Sequence, residues 1–307
     1  MTSPTFTRYT TPESFFAATK SILEKHDVYN GLSIGNISRC IQYPDRFQNP
    51  YMTSVFRGPD LVLTAIRIPP SGLVLSYTEE IDDTALRLIA SDLLAVYGAR
   101  PDPETPGRGI PGVVGVKPLA YRFAEIWADM TAQRYDIHLE MTIYQLTAVQ
   151  WPTNRAEFES RGRLRLAEED DRALVRVWLE QFTVDCGLRN EVDFDSMAGV
   201  TIGDRRLYLW EVNTESGGTT VVSMAARARP TNKGITINMV YTPPEHRGKG
   251  YSSITMATLS SLLLAEGYEY VSLFANVKNL ISNRVYQKVG YVVLGEQMDL
   301  GFYEIEK

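Results

Sequence analysis

Two short constellations carry side chains in patterns that suit chemistry. The first runs from Asn238 to Ser253, NMVYTPPEHRGKGYSS. An apolar run ends at Thr242, and Pro243 and Pro244, which have no amide hydrogen to give to a ladder, end a strand there. Arg247-Gly248-Lys249-Gly250 then turns into a helical pattern. Successive N–H groups in such a turn form a nest for an anion, strengthened by the positive end of the helix dipole. Gly248 and Gly250 let the backbone approach a phosphate closely, and Arg247 and Lys249 add charge. The spacing suits a pyrophosphate, yet it is neither GxxxxGK[ST] nor GxGxxG. Alone, a basic glycine-rich turn is more often just a turn.

The second constellation is Asn279, Ser282 and Tyr286, at i, i+3 and i+7 on one stripe of a helix. Ile281, Val285 and Val289 form the adjoining apolar stripe and are expected to face the core. The polar stripe then lies at the core's edge, where a cleft would open. Gly290 ends the helix with a residue that tolerates the left-handed conformation. Taken alone, Tyr286 reads as a half-buried core tyrosine.

The elements that position these residues read as two similar halves. In the first, a helical pattern at Pro12–His26 precedes strand-like runs at Tyr51–Arg57, Leu61–Ile68 and Gly72–Tyr77, a meander broken by glycine and proline. Asp82 and Asp83 cap a helix that ends at Gly98. A turn-rich stretch, Arg100–Gly115, leads to a helix with Pro118 in its first turn, and Met141–Val149 closes as a strand. Gln150–Ser160 is polar, and the boundary is expected there. In the second half, strand Arg163–Ala167 and helix Asp170–Phe182 precede a hairpin turning at Gly217-Gly218. The strand Ile235–Tyr241, helix Ser252–Ala265, strand Val271–Asn276, helix Leu280–Val289 and terminal strands (Tyr291–Leu294, Met298–Ile305) follow. The fold class is α+β: two tandem domains, 1–150 and 160–307, each a mixed, mostly antiparallel sheet flanked by helices.

Composition narrows the function. The 307 residues carry 31 Lys plus Arg and 37 Asp plus Glu, a net charge of −6. An acidic chain is a poor starting point for a nucleic-acid binder, and no apolar run reaches the ~20 residues that span a bilayer. Cys40 and Cys186 are far apart, and His26, His138 and His246 are equally scattered, so neither a disulfide framework nor a metal site is expected. A reducing compartment, the cytoplasm, is the expected location.

Together the two constellations resemble the GNAT (GCN5-related N-acetyltransferase) superfamily. Arg247-Gly-Lys-Gly250-Tyr-Ser252 matches its phosphate motif Q/R-x-x-G-x-G/A, with one departure, Ser252 at the last small position. Asn279, Ser282, Tyr286, Gly290 and Tyr291 meet the later motif N-x-x-A/S-x-x-x-Y-x-x-x-G-F/Y in full. The resemblance covers roughly Arg163 to the C-terminus, and the wording VYTPPEHRGKGY is similar to that of two-domain members with a degenerate GNAT-like first half. It implies acetyl-CoA as co-substrate, without a metal. Pantetheine would insert between Met239–Thr242 (Met239, Val240, Tyr241, Thr242) and Leu273–Asn276. The pyrophosphate would rest on Arg247, Gly248, Lys249, Gly250, Tyr251, Ser252 and Ser253. A backbone N–H near Tyr241 would stabilise the oxyanion, Tyr286 would protonate the departing thiolate, and Asn279 and Ser282 would serve the cofactor or orient the helix.

The general base is open. Ile235–Tyr241 contains no carboxylate; Glu211 and Glu245 are candidates, with a surface salt bridge the commoner use of Glu211, and a water chain is a further alternative. The resemblance implies an N-acetyltransferase acting on a small-molecule amine, as monomer or homodimer. An acyl-CoA sensor without turnover and a protein or peptide acetyltransferase are the alternatives. In the first half the phosphate motif is spoiled: Arg108 has Pro111 three residues on, where the motif needs glycine, and neither Pro111 nor Pro118 has an N–H for a phosphate. One acetyl-CoA per chain is therefore expected, bound after about Arg163. Titration calorimetry should give a stoichiometry near one, and a value near two would overturn this reading.

Overall fold

The computed structural model describes residues 3–100, 108–187 and 192–305. The chain divides into two compact units, one of Met1–Ile143 with Gly295–Lys307 and one of Tyr144–Leu294. Among the described residues no helix is long and apolar enough to cross a membrane.

The first unit contains β1 (Pro4–Arg8), α1 (Pro12–Lys25), α2 (Asp27–Gln42), β2 (Tyr51–Arg57), β3 (Asp60–Arg67) and β4 (Leu73–Leu75). α3 (Asp83–Tyr97), β5 (Gly112–Val116), α4 (Lys117–Thr131) and β6 (Gln133–Leu146) follow. The expected meander is β2–β3–β4, antiparallel throughout. Asp82 caps α3, its carboxylate accepting from the N–H groups of Thr84 and Ala85 at 2.9 and 3.0 Å. Helix α2 goes beyond the sequence reading: its buried side includes Asn30, Gly31, Ser33 and Gly35, which blur an apolar stripe. Of the glycine-rich stretch 106–115, Pro106 and Gly107 lie outside the described residues, and from Gly112 onward it is strand β5.

The sequence reading keeps residues up to Lys307 in the second domain. The structure differs. The last strand, β12 (Val292–Glu304), pairs antiparallel with β5 from Gln297↔Val116 to Gly301↔Gly112. Met298, Leu300 and Phe302 enter the first unit's core beside Phe123 and Trp127. Period-two alternation marks these residues as a strand with one buried face but does not say which sheet takes it. The pairing needs a glycine at the close approach: a Cβ on Gly112 would lie 2.2 Å from the Leu300 carbonyl oxygen.

The second unit begins with α5 (Arg155–Arg161), a short helix where only a polar linker is expected, and β7 (Gly162–Leu166). α6 (Arg172–Asp185), α7 (Phe194–Gly203), β8 (Leu207–Asn213), β9 (Thr219–Ala228) and β10 (Gly234–Tyr241) come next. α8 (Tyr251–Ala265), β11 (Tyr270–Asn276) and α9 (Leu280–Val289) complete it. The strands lie in the order β11-β10-β9-β8-β7. All neighbours are antiparallel except β10 and β11, which are parallel because α8 carries the chain back between them. On one face, α8 and α9 pack Met256, Leu259, Leu263 and Val289 against Ile235, Ile237, Val271 and Leu273. On the other, α6 and α7 bury Val175, Trp178, Leu179 and Ile202 against Leu207, Leu209 and Met224. Helix α7, absent from the sequence reading, completes that second face.

Leu300 is fully buried in the first unit's core. Leu300→Ala is expected to cost about 2–5 kcal/mol, the usual range for a core leucine, read as a lower urea midpoint. An unchanged midpoint would show that β12 contributes nothing to that core.

Candidate functional site

The site begins where two strands part. The parallel pairing of β10 and β11 runs through Gly234↔Tyr270, Ile235↔Val271 and Thr236↔Ser272 and stops. The hydroxyls of Thr236 and Ser272, 3.0 Å apart, close the last pair. Beyond it, Ile237–Tyr241 and Leu273–Asn276 go separate ways. On its other edge β10 pairs with β9, but the register jumps: Asn238 faces Ala226 and Tyr241 faces Met224. Met239 and Val240 are left out of the ladder, and Met239 takes a left-handed backbone, φ 51°. This is a β-bulge, a device that re-aims backbone groups. The sequence reading anticipates an open strand here but not the bulge, which no glycine marks.

Side chains hold the bulged end in place. The Ser223 hydroxyl donates to the Tyr241 carbonyl at 3.1 Å and lies 2.9 Å from the Thr242 hydroxyl. The buried Tyr241 side chain donates to Gln181 Oε1 on α6 at 2.9 Å and lies against Trp178. Tyr241 is thus anchored by its ring while its backbone stays at the parting.

The glycine turn follows directly. Gly248 and Gly250 both adopt left-handed conformations, φ 75° and 85°, and Gly250 is the N-cap of α8. No side chain caps that helix, so its first N–H groups have no partner within it. A Cβ on Gly250 would lie 2.9 Å from the Phe158 ring, whereas one on Gly248 would meet nothing within 4 Å. Phe158, on the unanticipated helix α5, therefore packs under the turn, and open space lies at Gly248. Arg247 and Lys249 differ from the sequence reading. Arg247 Nε donates to the Thr242 carbonyl at 2.8 Å, its guanidinium pairs with Asp185, and Lys249 Nζ donates to the Glu245 carbonyl at 3.0 Å. Both cations brace the loop and are engaged within the protein, so any anion at this turn would meet the backbone amides of Gly248 to Ser253 first.

Helix α9 brings in the tyrosine. Asn279 sits outside the helix as its N-cap and accepts from the Ser282 N–H at 3.1 Å, so it orients α9. Tyr286 and Val289 are buried and Val285 packs beside them. Ile281 is instead 79% exposed, a correction to the expected apolar stripe. Five residues from Tyr286, it points about 140° away round the helix. The Tyr286 ring lies against those of Tyr144 and Tyr291, centroids 6.0 and 6.1 Å away. Burial holds its hydroxyl well above the ordinary tyrosine range, the nearby Cys186 thiol adds to this, and the Ser282 hydroxyl pulls the other way. Cys186 itself is pushed up to about 11 by burial and by Asp185, so it is a thiol at neutral pH. Asn283, which the sequence reading passed over, donates to the Asn276 carbonyl at 3.0 Å and accepts from the Tyr144 hydroxyl at 3.2 Å. It ties the start of α9 to the end of β11.

Glu211 is placed elsewhere. It lies on β8, which β9 separates from β10. Its two carboxylate oxygens accept from Arg165 at 2.9 Å and Arg163 at 3.3 Å, and Arg165 also pairs with Asp171 at 2.6 Å. Burial alone would raise its carboxyl, but Arg165 and then Arg163 hold it below the usual carboxylate range. A carboxylate so occupied is a poor proton acceptor. Glu245 is exposed in the turn.

Comparisons with known proteins bear on the family and the fold. Residues 162–291 match the model of the Acetyltransferase (GNAT) family. A GCN5-related N-acetyltransferase from Sphaerobacter thermophilus superposes with a TM-score of 0.60 at 14% identity, covering 98% of both chains. A tandem GNAT protein from the clavulanic acid biosynthesis pathway gives 0.56 at 11% identity over 99% of each chain. A GNAT-family acetyltransferase from Colwellia psychrerythraea gives 0.53 at 10%, over 98% of this chain and 100% of its own. At such identities the likeness is one of fold, and it extends over both halves: tandem GNAT folds, the first half GNAT-like by structure. No curated protein matches by sequence.

The Glu211 ion pairs predict a pH signature. A carboxyl depressed in the folded state stabilises above its unfolded value, about 4.3, and that stability is lost as pH falls through the folded value. Glu211→Gln should lower the unfolding temperature by a constant amount above about pH 5, and the gap should shrink below about pH 4. A gap that persists in acid would show that the ion pairs contribute nothing.

Proposed function

With residues 162–291 forming a GNAT-family acetyltransferase domain, we propose that the protein transfers an acetyl group from acetyl-CoA directly to the amine of a small molecule. The observation that carries this reading is the parting of β10 and β11, with an uncapped glycine turn at one end and the buried Tyr286 beside it. Acetyl-CoA supplies the thioester carbonyl that an amine attacks, with release of a thiol.

This chain's residues divide the work. The N–H groups of Gly248 to Ser253 hold the pyrophosphate at a helix N-terminus. Met239 and Val240, left out of the β9 ladder, together with the strand end at Tyr241 and Thr242, offer backbone groups to the pantetheine amides. A backbone N–H of the bulge near Tyr241 stabilises the negative charge that develops on the carbonyl oxygen. The Tyr286 hydroxyl, kept protonated by burial, gives its proton to the leaving sulfur as the carbon–sulfur bond breaks. The attacking nitrogen loses a proton as the carbon–nitrogen bond forms, and that proton restores Tyr286. With Glu211 engaged by two arginines, water is the assigned acceptor on this path. An acyl-CoA sensor would use the glycine turn but not a buried tyrosine hydroxyl, which is why turnover is the preferred reading.

The reading is tested by thiol release from acetyl-CoA across a panel of amines, with Tyr286→Phe as the variant. The rate is expected to fall by ~10²–10⁴, the usual contribution of a general acid, with acetyl-CoA affinity little changed. A variant that turns over at the wild-type rate would assign the proton to another group.

A further inference from the structure

Arg229 follows the last residue of β9 in a left-handed backbone, φ 47°. Its guanidinium lies over the Phe274 ring of β11, 5.1 Å from the centroid. Its Nε is sealed from solvent and without a hydrogen-bond partner. Among the described residues no carboxylate pairs with it, and burial, unopposed by any neighbouring charge, pulls it down to about 10. It remains a cation at neutral pH, uncompensated. A second orphan lies on β10: Asn238 Oδ1 is likewise sealed and unpartnered.

The two orphans share a face. Thr236 and Ser272 touch across the last strand pair. Asn238 and Phe274 stand two residues further along their parallel strands, so alternation puts them on the same side, at the level where the strands have parted. Phe274 holds the Arg229 guanidinium at that level. Arg229 and Phe274 are part-exposed as residues, and of the guanidinium nitrogens only Nε is sealed and unpartnered, so its outer edge is within reach of a ligand. An unanswered guanidinium and an orphaned amide oxygen both cost the free protein stability. A small molecule bearing an anion would answer the guanidinium. The ring of Phe274 takes a face of the guanidinium and leaves its edge for a planar anion, the geometry that suits a carboxylate.

We propose that Arg229 determines acceptor specificity by binding a carboxylate on the amine to be acetylated. The acceptor is thus an amino acid or a compound of that class. This rests on acetyl transfer at the parted strands.

Two measurements on the full chain test it, each comparing wild type with Arg229→Met. In thermal unfolding without ligand, Arg229→Met should melt at the same temperature or higher, because an uncompensated charge is gone. A clear fall would make Arg229 a structural partner of Phe274 and overturn the proposal. In acetyl-CoA-dependent thiol release, α-, β- and γ-amino acids are compared with their matched carboxamides. Wild type should prefer acids over amides by about 10–100-fold in kcat/KM, the usual range for a charged hydrogen bond. Arg229→Met should lose that preference, with the KM for acetyl-CoA unchanged. Equal use of acids and amides, or acceptance of no acid by wild type that binds acetyl-CoA, would overturn the proposal. Failure of wild type to bind acetyl-CoA in calorimetry would instead count against the transferase reading.

Discussion

A parallel strand pair that stops after three residues governs the second unit. Buried backbone N–H and C=O groups need partners, and a sheet ordinarily supplies them strand by strand. Here β10 and β11 pair only as far as Thr236 and Ser272, and the bulge removes Met239 and Val240 from the β9 ladder as well. The sheet thus keeps backbone groups that no neighbouring strand takes up. Such a gap persists only if both strands are fixed from outside. α6 does so on one face, through Trp178 and Gln181 against Tyr241; α8 and α9 do so on the other, through Met256, Leu259 and Val289.

The charged residues around the gap follow from the same demand. A loop that presents its amides outward has few backbone bonds to hold it. Arg247 replaces them by joining Thr242 to Asp185, and Lys249 joins its own turn at Glu245. Phe158 packs below Gly250. The side chains therefore fix the shape and the amides remain available, a preorganised arrangement that needs no rearrangement when charge arrives.

Much of this was legible in the sequence because it is local. Pro243-Pro244, the two glycines of the turn, Gly290 and the Asp82 cap each act within a few residues, and their spacing survives folding. The expected strands β2, β3 and β10 and helices α8 and α9 fall within a few residues of their bounds. What was not legible depends on partners distant in sequence. The placement of β12 with β5 brings Gly112 against Leu300, and nothing in either segment alone names the other. The bulge at Met239 is a register relation with β9. Glu211 becomes an ion-pair member only when β7 brings Arg163 and Arg165 alongside. The exposure of Ile281 follows from the tertiary face that Tyr286 and Val289 occupy, which composition cannot select between neighbouring stripes.

The burial of Tyr286 constrains how it can act. In the proposed transfer, a hydroxyl raised well above the ordinary tyrosine value is certain to carry its proton at neutral pH, but giving that proton away completely to a thiolate, whose acid lies near 8.5, is uphill. Tyr286 therefore works best while sharing its proton: its hydrogen bond to sulfur strengthens as negative charge develops, in surroundings poor in water, where such a bond counts for most. A free phenolate in that aromatic setting, between Tyr144 and Tyr291, would be poorly solvated and would not accumulate. The proton released by the attacking nitrogen must then arrive as the old carbon–sulfur bond breaks, and not after it. That timing makes a strong base near the amine unnecessary and accords with a candidate carboxylate, Glu211, that is committed to two arginines.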